Sequence, residues 1–285
     1  MRIGIGLPTT VKGASPNLLV PWVRRAAEGP FASLAAHDRL AYDSLEPMAA
    51  LAAAAAVTER MRLASLVVIG PLRSPALLAK QAATVDALAG GRLTLGVGSG
   101  PRRDDYDVAG IPFAARNRLL ETQLRRLREH WEDERLGPSG SPELLVGGLS
   151  DGALVRMARY ADGFVHSGGP PRAFAAAVDR ARAAWSDLGR PGRPRIWGLG
   201  YYALGPGAEE RGQADLRHYY GFLGAFSDRI AGALITSSGG LREFANGYSE
   251  AGCDELVLFP TVAELEQVDR LAEAVGGTLD SGRSE

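Results

Sequence analysis

Cysteine, lysine and histidine are scarce in this 285-residue chain, and each shortage removes a class of chemistry. The single cysteine, Cys253, allows no intramolecular disulfide and no cysteine-cluster metal site. Its neighbours Ala251, Gly252 and Leu256 point to packing rather than reactivity. The four histidines are scattered without an HExxH or comparable pair, so no metal site is expected. A Ser-His-Asp hydrolase is not expected either. Long apolar runs are missing: the longest, Met48 to Val57, is alanine-dominated and about half of the roughly 20 residues a membrane-spanning helix requires. It reads as a buried helix of a soluble protein. Excess charge of one sign is also absent. With 32 basic and 33 acidic residues the net charge is -1, which offers no overall attraction to nucleic acid or to an anionic membrane. The amino terminus, Met1 to Leu7, enters directly into a short apolar alternation without the features of a signal peptide, and a cytoplasmic location is expected.

What is present is alternation. Short β-rich segments are read at Arg2 to Leu7, Phe31 to Ala36, Arg62 to Ile69, Arg92 to Val97, Glu143 to Val146, Gly163 to His166, Arg195 to Ala203 and Glu255 to Phe259. Helical patterns lie between them at Pro47 to Arg60, Pro75 to Ala89, Ala114 to Trp131, Asp151 to Tyr160, Pro171 to Leu188 and Val262 to Val275, several opening on a proline. Repeated strand–helix units imply a parallel sheet. Eight of them fit a closed (β/α)8 barrel over residues 1–276, whose active site lies in the loops after the strands. The stretch Gly205 to Gly247 is long for one crossover and is expected to hold two helices, Glu209 to Phe226 and Ser237 to Asn246. Residues 277–285, rich in glycine, serine and charge, are expected to be a disordered tail. An open doubly wound sheet is the alternative. It is disfavoured because the first turn, Leu7 to Gly13, lacks a dinucleotide fingerprint and Gly96-Val97-Gly98-Ser99-Gly100 leads into Pro101, Arg102 and Arg103 rather than directly into a helix.

From Glu46 to Trp131 the order and spacing of several blocks resemble the luciferase-like family of flavin- and deazaflavin-dependent oxidoreductases. The blocks are Ala55-Ala56-Val57-Thr58-Glu59-Arg60-Met61-Arg62-Leu63, Pro71-Leu72-Arg73-Ser74-Pro75 through Lys80-Gln81, Gly90-Gly91-Arg92-Leu93-Thr94-Leu95-Gly96-Val97-Gly98, and Gly110-Ile111-Pro112-Phe113 with Arg116. Ala158-Arg159-Tyr160-Ala161-Asp162-Gly163-Phe164 extends the likeness to about residue 170. The resemblance implies a barrel that uses coenzyme F420 for hydride transfer to a C=C, C=N or carbonyl group, or, as the alternative, reduced FMN for monooxygenation. A barrel that has lost cofactor binding is a third possibility, left open by the departures at Arg39, Ser99 and Pro101. The family also implies a homodimer and a small-molecule or peptide-like organic substrate.

Four loops carry the candidate residues. After the second strand, His37-Asp38-Arg39 brings together an imidazole, a carboxylate and a guanidinium, a proton carrier beside a possible anion clamp. On the residues alone Asp38 reads as a local cap or ion pair; the resemblance makes it the first catalytic candidate, with His37 and Arg39 beside it, and tips the cofactor towards F420. In the third strand the resemblance implies a cis peptide at Ser65-Leu66, with Val67 beside it under the cofactor ring. After the fourth strand, Gly98 and Ser99 allow close backbone approach, while Arg102 or Arg103 suits a phosphate or an acidic cofactor tail. After the fifth, Gly147-Gly148-Leu149-Ser150 opens a helix whose free N–H groups can receive phosphate. His166 and Ser167 after the sixth strand are secondary cofactor candidates. Trp197, Tyr201, Tyr202, Tyr219 and Tyr220 line the substrate side or pack as core.

Overall fold

A computed structural model describes residues 1–133 and 141–279. Eight parallel strands among them close into a barrel in sequence order: β1 (Arg2–Gly6), β2 (Ser33–Ala36), β3 (Arg62–Ile69), β4 (Leu93–Gly98), β5 (Glu143–Gly147), β6 (Gly163–His166), β7 (Arg195–Tyr202) and β8 (Glu255–Pro260). Closure is made by β1 on β8, with Arg2 opposite Glu255 and Ile5 opposite Leu258. The expected architecture is therefore the one found.

The helices start where local chemistry favours a start. In α2 (Pro47–Ala55), proline fixes the first turn and the Glu46 carboxylate accepts from the Ala49 N–H at 2.7 Å. Proline also opens α3 (Pro75–Leu88) and α7 (Pro171–Asp187), and the Ser150 hydroxyl caps α6 (Asp151–Tyr160). Two helices were not anticipated: α1 (Leu19–Glu28), which buries Trp22, Val23 and Ala26, and the short α4 (Arg103–Val108), which follows Arg102 immediately. After α5 (Arg116–Trp131), the long stretch before β8 divides into three helices rather than two: α8 (Ala208–Tyr219), α9 (Phe226–Gly232) and α10 (Ser238–Glu250). Between α8 and α9 the chain makes a single 3-10 turn at Gly221–Leu223 and reverses at Gly224, whose φ is 57°. The last helix, α11 (Glu266–Leu279), runs past the expected start of the tail at residue 277, and residues 280–285 lie outside the described ones.

Alternation along the strands sorts side chains into a shell facing the helices and a column inside the barrel. Leu34, Leu63, Leu95, Val146, Phe164, Ile196 and Leu258 belong to the outer core, whereas Ala35, Ala64, Leu145, Val165, Trp197, Leu199, Val257 and Phe259 fill the interior. Where the interior carries bulk from one side, the facing strand supplies glycine. A Cβ on Gly6 would lie 2.1 Å from the Phe259 ring, and one on Gly98 would lie 2.7 Å from Val67 Cγ2. At the amino-terminal end the column closes with charge: Arg2 meets Glu255 at 2.7 Å, while Arg62 and Arg195 approach Glu143 at 3.7 and 3.4 Å. Chemistry is thus left to the carboxyl end.

Candidate active site

His37 follows β2 by one residue, and alternation from Ala35 carries its ring into the barrel. It stacks on Phe259 with ring centroids 3.7 Å apart and is 7% exposed. Nδ1 lies 2.7 Å from the Leu66 carbonyl oxygen. A carbonyl only accepts, so the Nδ1 proton is fixed there and Nε2 presents its lone pair to the barrel mouth. Burial lowers the imidazole pKa to about 4, with the bond to Leu66 opposing the shift. His37 is therefore a neutral base at ordinary pH.

The first catalytic candidate from the sequence, Asp38, points the other way. Its Oδ2 accepts from the Ile69 N–H at 2.7 Å and from Arg73 Nη1 at 2.5 Å, and its Oδ1 accepts from Arg73 Nη2 at 3.0 Å. Arg73 also reaches Glu46 at 3.0 Å. With both oxygens engaged in a bidentate pair, Asp38 locks the β2 loop to β3, which is the local ion-pair reading of the bare sequence. Arg39 is likewise committed: Nε meets Asp105 Oδ2 at 2.8 Å and Nη2 meets Asp104 at 3.0 Å. Asp105 Oδ1 in turn accepts from the Leu40 and Ala41 N–H groups at 2.9 and 2.7 Å. The expected anion clamp is a strut between this loop and α4.

The cis peptide falls at Leu66-Val67, one bond later than Ser65-Leu66, where the β3–β4 register shifts between Ser65 and Val68. Ser65 turns its hydroxyl to the Gly96 carbonyl at 2.9 Å and lies away from the mouth. Val67 instead faces Gly96, Gly98 and Gly147, whose missing side chains make room for it. Arg102 and Arg103 separate. Arg102 is buried under the mouth, its guanidinium 4.5 Å from the Tyr219 ring centroid and 4.1 Å from that of Phe222, and it donates to the Tyr219 carbonyl. Arg103 is exposed and lies over Phe113 at 5.1 Å, away from the others. The Ser99 carbonyl accepts from the Tyr106 hydroxyl.

The loop from Gly147 through Gly148 and Leu149 to Ser150 ends β5 and opens α6, with Leu149 exposed. Two arginines that the sequence did not single out converge there. Arg180 donates to the Leu149 carbonyl at 3.2 Å and pairs with Asp151 at 2.5 Å. Arg156 has a buried Nε without a partner among the described residues, and its Nη1 lies 3.5 Å from where a Cβ of Gly152 would be. A first helical turn, glycines and a guanidinium close by suit a phosphate, so the residues present fit a phosphate-bearing flavin or deazaflavin. Although the sequence reading sets a Ser-His-Asp hydrolase aside for want of a G-x-S-x-G elbow, Gly148-Leu149-Ser150-Asp151-Gly152 does have that spacing. Ser150 is no nucleophile elbow: it is extended at φ -85° and ψ 155°, and its hydroxyl accepts from the Ala153 N–H.

His166 ends β6 facing outward, edge-on to Phe174 with centroids 5.4 Å apart, and burial lowers its pKa to about 4. It does not join His37, and Ser167 beyond it is exposed. Of the aromatic residues, Tyr202 faces outward to the Gln267 carbonyl, and Trp197 lies inside the barrel, its Nε1 without a partner among the described residues. Tyr201, Tyr219 and Tyr220 do gather at the mouth. Tyr201 Oη is 3.4 Å from His37 Nε2 and 2.6 Å from Tyr220 Oη, and Tyr219 lies over His37 at 6.3 Å. Among the described residues no group of three or more acidic, histidine or cysteine side chains is placed to hold a metal ion, and no helix is long and apolar enough to cross a membrane.

The family model described as luciferase-like monooxygenase matches residues 1–251. An uncharacterised protein of Mycobacterium tuberculosis is 35% identical over 162 residues, 51% of this chain and 56% of its own length, so the match spans about half of that curated relative. The pyrimidine monooxygenase RutA of Variovorax paradoxus is 30% identical over 272 residues, 82% of this chain and 70% of its own. Among solved structures, an F420-dependent secondary alcohol dehydrogenase in complex with an F420-acetone adduct superposes with a TM-score of 0.82 at 16% identity, covering 97% of this chain and 98% of its own. The monooxygenase RslO1 of Streptomyces bottropensis does so with 0.79 at 19%, covering both chains fully at 100%. At such identities the superpositions speak for the fold alone. With the family model running through all but the last strand and helix, the chain belongs to the luciferase-like monooxygenase family.

Proposed function

We propose that this protein is a two-electron oxidoreductase that binds coenzyme F420 at the carboxyl end of the barrel and transfers hydride between it and an organic substrate. The observation that carries this reading is His37: a neutral imidazole with Nδ1–H held on Leu66 and Nε2 turned to the mouth, beside the Val67 bulge. The bound cofactor supplies or receives the hydride. The protein's own work is to hold, orient and exclude water. The first turn of α6 with Arg156 and Arg180 would hold its phosphate, Val67 would pack on its ring, and Arg102 would offer positive charge to an acidic tail. His37 Nε2 takes the proton released when the substrate gives up hydride, and returns it when the substrate receives hydride. Asp38 serves indirectly, by fixing the loop that aims His37.

Reduced-FMN monooxygenation is the second reading, favoured by the RutA relative that matches 82% of this chain. The same neutral base and water-excluding mouth would serve it. Absorbance and fluorescence titration of the purified protein with F420 and with FMN decides between them. Saturable F420 binding at micromolar concentration with weaker FMN binding is expected. The reverse order would establish the second reading, and no binding of either would leave a noncatalytic barrel. A homodimeric, cytoplasmic enzyme acting on a small-molecule or peptide-like substrate completes the proposal.

A further inference from the structure

Among the described residues, His37 takes up a proton where no carboxylate pairs with it. Its neighbour Asp38 spends both oxygens on Arg73 and the Ile69 N–H. The groups that meet the imidazole are neutral: the Leu66 carbonyl at Nδ1, and the rings of Tyr201, Tyr219 and Phe259. The charged side chains stacked on Tyr219, those of Arg39 and Arg102, are both cations, with Arg39 already paired to Asp104 and Asp105. A protonated imidazole is ordinarily steadied by an opposite charge nearby. Here that support has to come from elsewhere.

Phe259 is placed to give it. Its strand, β8, and the strand that leads into His37, β2, lie on either side of β1. The ring crosses that interval because β1 carries no side chain at this level: a Cβ on Gly6 would lie 2.1 Å from the Phe259 ring. It ends nearly parallel to the imidazole, with 18° between the planes and 3.7 Å between the centroids. The face of an aromatic ring is the negative side of its quadrupole and attracts a cation laid on it. An imidazolium gains from that face more than a neutral imidazole does.

We propose that Phe259 is the positioning residue of the proton-transfer step: its face holds the plane of the His37 ring and favours the imidazolium formed at Nε2, in place of the carboxylate that Asp38 does not supply. This rests on the assignment of proton transfer to His37. Gly6 serves the same end by leaving the gap through which the ring reaches β2. Burial lowers His37 to about 4, and the Phe259 face works against that drop. A mere filler has the opposite sign, since a smaller side chain lets water reach the imidazole and hydration favours its charged form.

The test uses neither cofactor nor substrate, so its failure is distinct from that of the F420 and FMN titrations. Full-length parent, Phe259→Leu and Phe259→Tyr are titrated into the acid range with nitrogen-15-labelled histidine, the His37 signal being the one lost in His37→Gln. Phe259→Leu is expected to weaken proton binding at His37 about threefold, about half a pH unit downward, while Phe259→Tyr, which keeps the aromatic face, retains the parent value. A His37 pKa that stays or rises in Phe259→Leu, or one that falls equally in Phe259→Tyr, would overturn the proposal. A second measurement, on the unsubstituted protein at neutral pH, holds even where a variant does not fold. The His37 ring protons lie over an aromatic face and are expected upfield of their free-imidazole positions; signals at the free positions would remove Phe259 from the step.

Discussion

Asp38 and His37 are neighbours in sequence, yet the two-residue period of β2 sends them to opposite sides of the barrel wall, one into an ion pair with Arg73 and one onto Phe259. The sequence held this information, since Ala35 and His37 share a parity, but choosing which parity faces inward requires the closed barrel. Two residue-level outcomes follow. Asp38→Asn leaves Arg73 with one partner fewer in a largely buried place, and urea unfolding is expected to show a loss of about 3 kcal/mol; a variant as stable as the parent would refute the locking role. Acid sensitivity has its own signature. His37 and His166 titrate at about 4 when folded against 6.5 when free, so the unfolded chain takes up these protons first. Their stabilising effect is complete above about pH 6.5 and is lost progressively as pH falls towards 4, roughly 2 kcal/mol for each between pH 7.5 and 5. His166→Phe, set between Phe164 and Phe174, should flatten the acid limb of the stability profile by its share; an unchanged limb would argue against a buried neutral His166.

At the scale of elements, strands were readable because near-continuous apolar runs bounded by turns mark a parallel sheet, and helices because proline and serine starts mark their first turns. The connections were harder. Nothing in the pattern of Gly205 to Gly247 separates a two-helix segment from one with a tight reversal at Gly224 and α9 beyond it, since both are amphipathic and turn-rich. The cis peptide of β3 lies one bond beyond the expected Ser65-Leu66 for a similar reason: Leu66, Val67 and Val68 are interchangeable as core residues until the glycines of β4 and β5 show which one needs their space. That packing makes a coupled pair. Gly98→Ala would bring a Cβ to 2.7 Å from Val67 Cγ2, and such overpacking typically costs about 1–3 kcal/mol. Combining it with Val67→Ala removes the obstructing methyls, so a double-mutant cycle by thermal unfolding should return a clearly favourable coupling; simple additivity would mean that the strands yield instead of the side chain.

For the molecule as a whole, the closed sheet and the outer core of helices leave little local freedom around the one thiol. Cys253 is buried beside the Glu255 carbonyl at 3.2 Å, and burial pushes its pKa up to about 12. Labelling by an aromatic disulfide reagent should therefore follow global unfolding, accelerating with urea in step with loss of helical signal; fast labelling in buffer alone would expose a local opening next to β8. The barrel was legible from end to end and the family over about the first 170 residues, whereas the mouth stayed open between substrate lining and core packing, because Tyr201, Tyr219 and Tyr220 come from β7, the end of α8 and the connection after it, which the likeness does not reach. A last consequence concerns how such a mouth changes over generations. Because Gly96, Gly98 and Gly147 all yield to Val67, the space between β3, β4 and β5 is written in a single codon: exchanging that one side chain changes it by a methyl group at a time, while the eight-stranded frame around it stays untouched.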